Sequence, residues 1–78
     1  MLLDVSVLNP HEIMYKGQAK SVIVPGEQGV FEVLPFHKRI MSRLMAGEVC
    51  VDEQHFPIRR GLVKVDQNKV MIIIEEEV

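Results

Sequence analysis

The chain has 78 residues, a hydrophobic fraction of 47% and a formal net charge of -2. This length allows a single core, and hence one domain over residues 1–78. The apolar content excludes a disordered tail, and the weakly acidic charge gives no basis for nucleic acid as a partner. The single Cys50 excludes an internal disulfide, and the N-terminus lacks signal-peptide order, which predicts an intracellular chain. The longest apolar run, Val70 to Ile74, is too short to cross a bilayer, so membrane association is expected only through a partner.

Polar and apolar residues alternate along most of the chain, with turn residues roughly every eight to twelve positions, which predicts antiparallel sheet. A first strand, LLDVSVL, ends at an Asn-Pro pair. A second extended piece covers Ile13 to Lys16 and is broken by Gly17. The next strand, AKSVIV, leads into a turn at Pro25 and Gly26.

Alternation also predicts the later strands. Beyond the GEQG loop, Phe31 and Val33 should lie on one face, and Val30, Glu32 and Leu34 on the other. In GEVCVD the two valines should face away from Glu48, Cys50 and Asp52. The segment LVKVDQNKVMIII should form a hairpin around residues 66–69, with valines 63 and 65 facing residues 70 and 72.

The segment HKRIMSRLMAG admits two interpretations. Its apolar positions 40, 41, 44 and 45 fall at helical spacing opposite basic residues, which predicts a short amphipathic helix. A strand would instead place Ile40, Ser42 and Leu44 on one face and the intervening residues on the other. The local pattern leaves both open.

The string VPGEQGVFEVLPFH, residues 24–37, fixes glycines, prolines and a histidine in a distinctive order. Together with Gly47, and with Gly61 ahead of the last predicted hairpin, it resembles the epsilon subunit of F-type ATP synthases over nearly the whole chain. The resemblance implies an all-β fold, a flattened sandwich of ten antiparallel strands, and it places residues 37–45 in a strand. It extends to the family's sandwich domain and not to its C-terminal two-helix domain. Glu32, Lys38, Arg39 and Arg60 depart from the family pattern, which affects turn geometry and partner contacts.

The family's role implies a non-catalytic rotor subunit of the central stalk. Such a subunit links the gamma subunit to the membrane c-ring and couples ion-driven rotation to ATP synthesis. It would be a peripheral membrane protein, held through the complex on the cytoplasmic face of a bacterial membrane or on the equivalent organellar membrane, and no cofactor is expected. Carried over by position, c-ring contact is implied for Glu27, Gln28, Gly29, Val30 and Phe31. Gamma contact is implied for Asn9, His37, Lys38, Ile40 and Ser42.

Catalytic and metal-binding interpretations find little support in the residues. The three histidines, His11, His37 and His55, lack the short spacings of paired ligands, so no metal site is predicted. Cys50, Asp52 and His55 could be drawn as a nucleophilic group. A strand, however, would hold the thiol and the carboxylate side by side with neither able to activate the other, so Cys50 is interpreted as an inert thiol. The GEQG loop lacks the lysine and the following helix that a phosphate cradle requires.

An alternative function is a stand-alone β-sandwich or small barrel that binds nucleic acid or sugar through an open face. The chain has no Trp, one Tyr and three Phe residues. Because base stacking needs aromatic platforms, this composition favours the rotor subunit over the alternative.

Overall fold

A computed structural model of the protein describes residues 1–76, so the last two residues of the expected 1–78 domain lie outside the described part. It contains eight β-strands, and the all-β prediction is confirmed. The strands are β1 Leu3–Leu8, β2 Ile13–Ala19, β3 Val22–Gly26, β4 Gly29–Val33, β5 Ile40–Leu44, β6 Gly47–Val51, β7 Gln54–Asp66 and β8 Lys69–Glu76. Residues 1–76 include no helix of the length and apolarity that a membrane span requires.

All eight strands belong to one continuous sheet in the order β2-β1-β8-β7-β5-β3-β4, with β6 beside β3 and β7. The expected count was ten antiparallel strands. Eight are found within residues 1–76, and β1 pairs β8 in parallel, with Asp4 opposite Lys69 and Leu8 opposite Ile73. A tight turn forces antiparallel pairing on the strands it joins, but β1 and β8 share no turn, so local sequence carries no signal for their direction.

The long strand β7 serves both layers of the flattened molecule, which measures 35 × 27 × 20 Å. Its first half pairs β6 and its second half pairs β5 and β8. Ile58 is buried in the first half, and Val63 and Val65 are buried in the second. Ile58 and Val63 are separated by an odd number of positions, so regular alternation would place them on opposite faces. The register shift between Ile58 and Arg60 inserts one extra residue, which allows both to be buried. The bulge therefore lets β7 pass from one layer to the other.

The core consists of apolar side chains contributed by every strand. Within residues 1–76 no polar side chain is buried. Burial of each Val, Leu or Ile is worth about 1.5–3 kcal/mol, which is the main stabilising term for a domain of this size. The Tyr15 and Phe56 rings close one side of the core edge to face, with centroids 6.4 Å apart. The buried residues are Leu3, Val5, Val7, Ala19, Val22, Val24, Val33, Leu44, Val49, Val51, Ile58, Val63, Val65, Val70, Ile72 and Ile74.

Two local expectations are resolved by the structure. The ambiguous segment is the strand β5, with Leu44 buried and Met41 and Arg43 exposed, and residues 37–39 precede it outside any strand. The break expected at Gly17 was wrong, because β2 continues through it to Ala19 in register with β1. A glycine weakens a strand but leaves its backbone groups free to pair.

The last hairpin has the predicted register. Val65 pairs with Val70 and Val63 pairs with Ile72. The turn residues Gln67 and Asn68 have φ angles of 50° and 62°. Positive φ at both central residues matches the right-handed twist of the flanking strands, so the turn itself sets this register.

Pro25 lies inside β3 without interrupting the ladder. On one side, β3 pairs β6 through Val22 and Ile23, and then β5 through Gly26. The Pro25 carbonyl points to this same side, where it accepts a hydrogen bond from the Met45 amide at 2.7 Å. Since the nitrogen and carbonyl of a residue face the same neighbour in an antiparallel strand, the missing N–H falls in the gap between β6 and β5.

Candidate interaction surfaces

The five residues expected to contact a c-ring lie together at the tip of the β3–β4 hairpin. Glu27 and Gln28 form a two-residue turn between the paired Gly26 and Gly29. Gly29 has a φ of 120°, which favours glycine. A Cβ on Gly26 would stand 2.7 Å from the Phe31 ring, so this ring packs directly on the glycine backbone. Glycine at these positions therefore permits a tight and closely packed tip.

The tip presents one apolar side chain to solvent. Val30 is 71% exposed, whereas Phe31 on the opposite face of β4 packs against the core. The Glu27 carboxylate lies 2.9 Å from the Arg43 guanidinium, which links the tip to β5. The hairpin is thus tied to the sheet on one side while Val30 remains available for a contact.

Ser42, one of the expected gamma contacts, lies beside this tip. It lines a groove of about 360 Å³ together with hairpin residues 26–31. Its hydroxyl donates a hydrogen bond to the Arg43 carbonyl. The two sets of expected contacts, which the sequence could not position relative to each other, meet at Ser42.

The remaining expected gamma contacts divide between two ends of the sheet. His37 follows a corner whose Phe36 amide donates to the Asn68 side chain at 2.6 Å, so His37 lies near the β7–β8 turn. Lys38 is exposed, and Ile40 packs against the core. Asn9 instead donates to the carboxylate of Glu76 at 2.6 Å, at the other end of β8. Because β8 spans roughly 20–25 Å, the structure separates Asn9 from the other members.

An exposed apolar surface was not identified from the sequence. Side chains from three adjacent strands form it, and we call it the apolar outer face: Met41, Leu62, Met71 and Ile73, which are 44–70% exposed. Lys64 pairs with Met41 and Met71, and Leu62 pairs with Arg43 and Ile73, so basic residues are interspersed. The available signal was that β8 carries apolar residues on both faces, which alternation alone does not predict.

A second grouping lies on the β6–β7 hairpin, where the structure brings Cys50 and His55 together with Glu48, which the sequence analysis had not included. Cys50 and His55 are direct partners in the ladder, with Sγ and Nδ1 3.3 Å apart. The Glu48 Oε1 atom lies 3.4 Å from the same nitrogen. Burial raises the pKa of the Cys50 thiol, and the Glu48 charge raises it further, which disfavours a reactive thiolate.

Asp52 does not join this group. It lies in the β6–β7 turn with a φ of 51°, rather than on the strand as expected. Its Oδ1 accepts hydrogen bonds from the amides of Lys20 and Ser21 at 3.0 and 3.1 Å, and its own amide donates to the Ser21 carbonyl. Asp52 therefore joins the β2–β3 connection to this turn.

Curated proteins with similar sequences include several ATP synthase epsilon chains. The ATP synthase epsilon chain of Sulfurimonas denitrificans is 33% identical over 78 residues, an alignment that covers 94% of this chain and 60% of the relative. That of Helicobacter pylori (strain HPAG1) is 35% identical over 78 residues, covering 95% of this chain and 63% of the relative. The chain thus spans about three fifths of the length of these relatives.

Solved structures share the fold at low sequence identity. A chain of the Euglena gracilis mitochondrial ATP synthase superimposes with a TM-score of 0.88 at 18% identity, covering 99% of this chain and 52% of that one. A chain of the Tetrahymena thermophila mitochondrial ATP synthase central stalk and c-ring gives 0.78 at 14% identity, covering 95% and 63%. The family model of the ATP synthase delta/epsilon chain beta-sandwich domain matches residues 2–78, and the chain therefore belongs to that family.

Proposed function

We propose that this domain acts as a non-catalytic rotor element of an F-type ATP synthase, linking a gamma subunit to the membrane c-ring and coupling ion-driven rotation to ATP synthesis. It would be attached to the membrane through the complex alone, on the cytoplasmic face in a bacterium. The match to epsilon chains supports this role. The observation that carries the c-ring contact is the exposed Val30 at the tip of a closely packed hairpin.

The hairpin suits a part that must transmit force. Phe31 packs on Gly26, and the Glu27–Arg43 ion pair holds the turn against β5. Force applied at Val30 would therefore pass into the sheet rather than bend a mobile loop. Glu27, Gln28, Gly29, Val30 and Phe31 are the proposed c-ring contacts, with Val30 as the side chain that is buried on assembly.

We place the gamma contact along the outer side of β5 and the apolar outer face. Contiguous exposed apolar residues with interspersed charges are typical of protein interaction sites. His37 and Lys38 precede β5, and the half-buried Ile40 and Ser42 lie on β5 itself, on the face opposite the exposed Met41. Asn9, at the far end of β8, would mark the opposite limit of this contact.

Crosslinking in membranes tests the c-ring contact. Val30→Cys in a Cys50→Ser background should form a disulfide with a cysteine placed in the c-ring polar loop of the same enzyme. Phe36→Cys is the matched control, because Phe36 is 74% exposed but follows the opposite end of β4. Equal crosslinking of the two variants, or labelling of Val30→Cys that assembly leaves unchanged, would contradict the proposal.

Binding measurements test the gamma contact. Met41→Asp and Leu62→Asp should weaken binding to the purified gamma subunit by tenfold or more, because each buries a charge in an apolar contact. Val30→Asp is the control, since Val30 is an exposed apolar residue at the tip of the β3–β4 hairpin and lies outside the apolar outer face. Similar weakening by all three variants, or retention of oligonucleotide instead of gamma, would favour the alternative of an independent binding domain.

A further inference from the structure

We propose that Glu48, Cys50 and His55 form a binding site for one Zn²⁺ ion on the exposed face of the β6–β7 hairpin. This inference goes beyond the rotor role and does not depend on it. It rests on the positions of three different donor atoms, one sulfur, one nitrogen and one oxygen, which lie within 4.8 Å of one another.

The strand register brings these donors together. Cys50 and His55 are opposite each other in the antiparallel ladder of β6 and β7. Side chains directly opposite on one face have Cβ atoms about 4.5–5.5 Å apart. Glu48 lies two residues before Cys50 on β6 and therefore projects from the same face. The backbone alone thus fixes the origin of all three side chains.

The distances between donors fit tetrahedral coordination. With Zn–S near 2.3 Å, Zn–N near 2.0–2.1 Å and Zn–O near 2.0–2.2 Å, a tetrahedral ion separates its ligands by about 3.4–3.6 Å. The Sγ of Cys50 lies 3.3 Å from Nδ1 of His55, and that nitrogen lies 3.4 Å from Oε1 of Glu48. Two of the three ligand separations are therefore already those of a bound ion. The third separation, between the Cys50 sulfur and a Glu48 carboxylate oxygen, is at most 4.8 Å.

The donor set selects the metal. Ca²⁺ and Mg²⁺ take oxygen ligands, whereas a thiol that releases its proton to solvent as the metal binds, with an imidazole and one carboxylate, suits a borderline-soft ion such as Zn²⁺. Glu48 and His55 keep 55% and 56% of their side-chain surface exposed, so water can complete the fourth position. Asp52 is engaged with the amides of Lys20 and Ser21 and is not needed as a ligand.

A simpler account of the same geometry is a hydrogen bond between the thiol and the imidazole. Calorimetric titration of the reduced 78-residue chain with Zn²⁺ separates the two accounts. We expect saturable binding of one ion per chain. Outer-shell substitutions in metal sites cost about 10–100-fold in affinity, so Cys50→Ser and His55→Ala should each cost at least about 100-fold, and Glu48→Gln about tenfold. His11→Ala and His37→Ala are the controls and should leave binding unchanged.

Two further readouts complete the test. Co²⁺ in place of Zn²⁺ should give a thiolate-to-cobalt charge-transfer band that Cys50→Ser abolishes. Zn²⁺ should raise the Tm of the unsubstituted chain by mass action and leave that of Cys50→Ser unchanged. Absence of saturable binding, unchanged affinity in Cys50→Ser or His55→Ala, or one ion per two chains in a zinc-dependent dimer would each overturn the proposed three-ligand site.

Discussion

The backbone of Gly61 in β7 lies so close to the carbonyl oxygen of Ile73 in β8 that a β-carbon on Gly61 would clash with that oxygen. Gly61 pairs with Ile74 on one side and with Leu44 on the other. It directly follows the bulge at which β7 passes between layers. The close approach of β7 to β8 at this crossing therefore depends on the absence of a side chain, and the obstructing atom belongs to the backbone, which cannot rotate aside.

Gly61→Ala is expected to lower the free energy of unfolding by about 1–3 kcal/mol, the usual range for overpacking. Urea denaturation measures the change. Gly17→Ala is the matched control, because Gly17 also lies in a strand but a Cβ there would meet only the Tyr15 side chain, at 3.6 Å or more. Equal losses of stability in the two variants would show that a β-carbon destabilises either strand glycine, and would contradict a specific effect of the contact between Gly61 and Ile73.

Asp52→Ala should destabilise the fold by about 1–2 kcal/mol, because it removes the acceptor for two backbone amides. Asp52→Asn should retain most of the stability, since asparagine keeps an acceptor oxygen and tolerates the positive φ at this position. The midpoint of urea denaturation separates the variants. If Asp52→Asn were as unstable as Asp52→Ala, the role of this side chain as a hydrogen-bond acceptor for the two amides would be refuted.

Removal of the Glu27–Arg43 ion pair is expected to loosen the hairpin tip with little effect on global stability. Exposed pairs contribute about 0.2–1 kcal/mol, so Arg43→Gln should change the unfolding free energy by less than about 1 kcal/mol. Amide hydrogen exchange at residues 28–30 should accelerate about two- to fivefold, because the free energy of local opening is lower without the ion pair. Arg39→Gln, which removes a 3.8 Å pair with Asp66, should leave exchange at the tip unchanged.

The Arg60–Glu75 pair should make stability depend on pH in the acidic range. The hydrogen bond from Arg60 Nε to Glu75, at 2.8 Å, holds the pKa of that carboxyl below its usual value, and the positive charges of Arg60 and Arg59 act in the same direction. The unfolded chain then binds the proton more tightly. The stabilisation is complete above the unfolded pKa and is lost as the pH falls through the folded pKa.

Comparison with Glu75→Gln isolates this dependence. The unsubstituted chain should have the higher urea midpoint near neutral pH, and the two midpoints should converge in acid. A difference between them that stays constant from neutral to acidic pH would contradict the linkage.

Local sequence rules predicted the β7–β8 strand pair and the faces of β4 and β6. These features depend on alternation and on turn residues that are close in sequence. The resemblance of residues 24–37 to a known family decided between helix and strand for β5, where residues 40–45 fit both periods. The predicted end of β2 at Gly17 was wrong, because cross-strand pairing of Gly17 with Val5 compensates for the weak strand preference of glycine.

Features that depend on long-range pairing could not be predicted. The parallel pair of β1 and β8 and the crossing of β7 require knowledge of which strands become neighbours. The same is true of the candidate sites. Residues 27–31 lie together because one turn holds them, whereas the relation of Asn9 to His37 depends on the length of β8 between them. Cys50 and His55 become neighbours only through the register of a hairpin.

The parallel pairing of β1 with β8 imposes an order on folding during synthesis. β1 can form a hairpin with β2 as soon as both have left the ribosome, but its other edge must wait for residues 69–73, which are made only after β2 to β7. Until then one edge of β1 has unpaired backbone groups and is open to pairing with other chains. Because a contact of such long sequence separation also slows folding, this edge of β1 stays open to aggregation for longer than the edge that β2 covers.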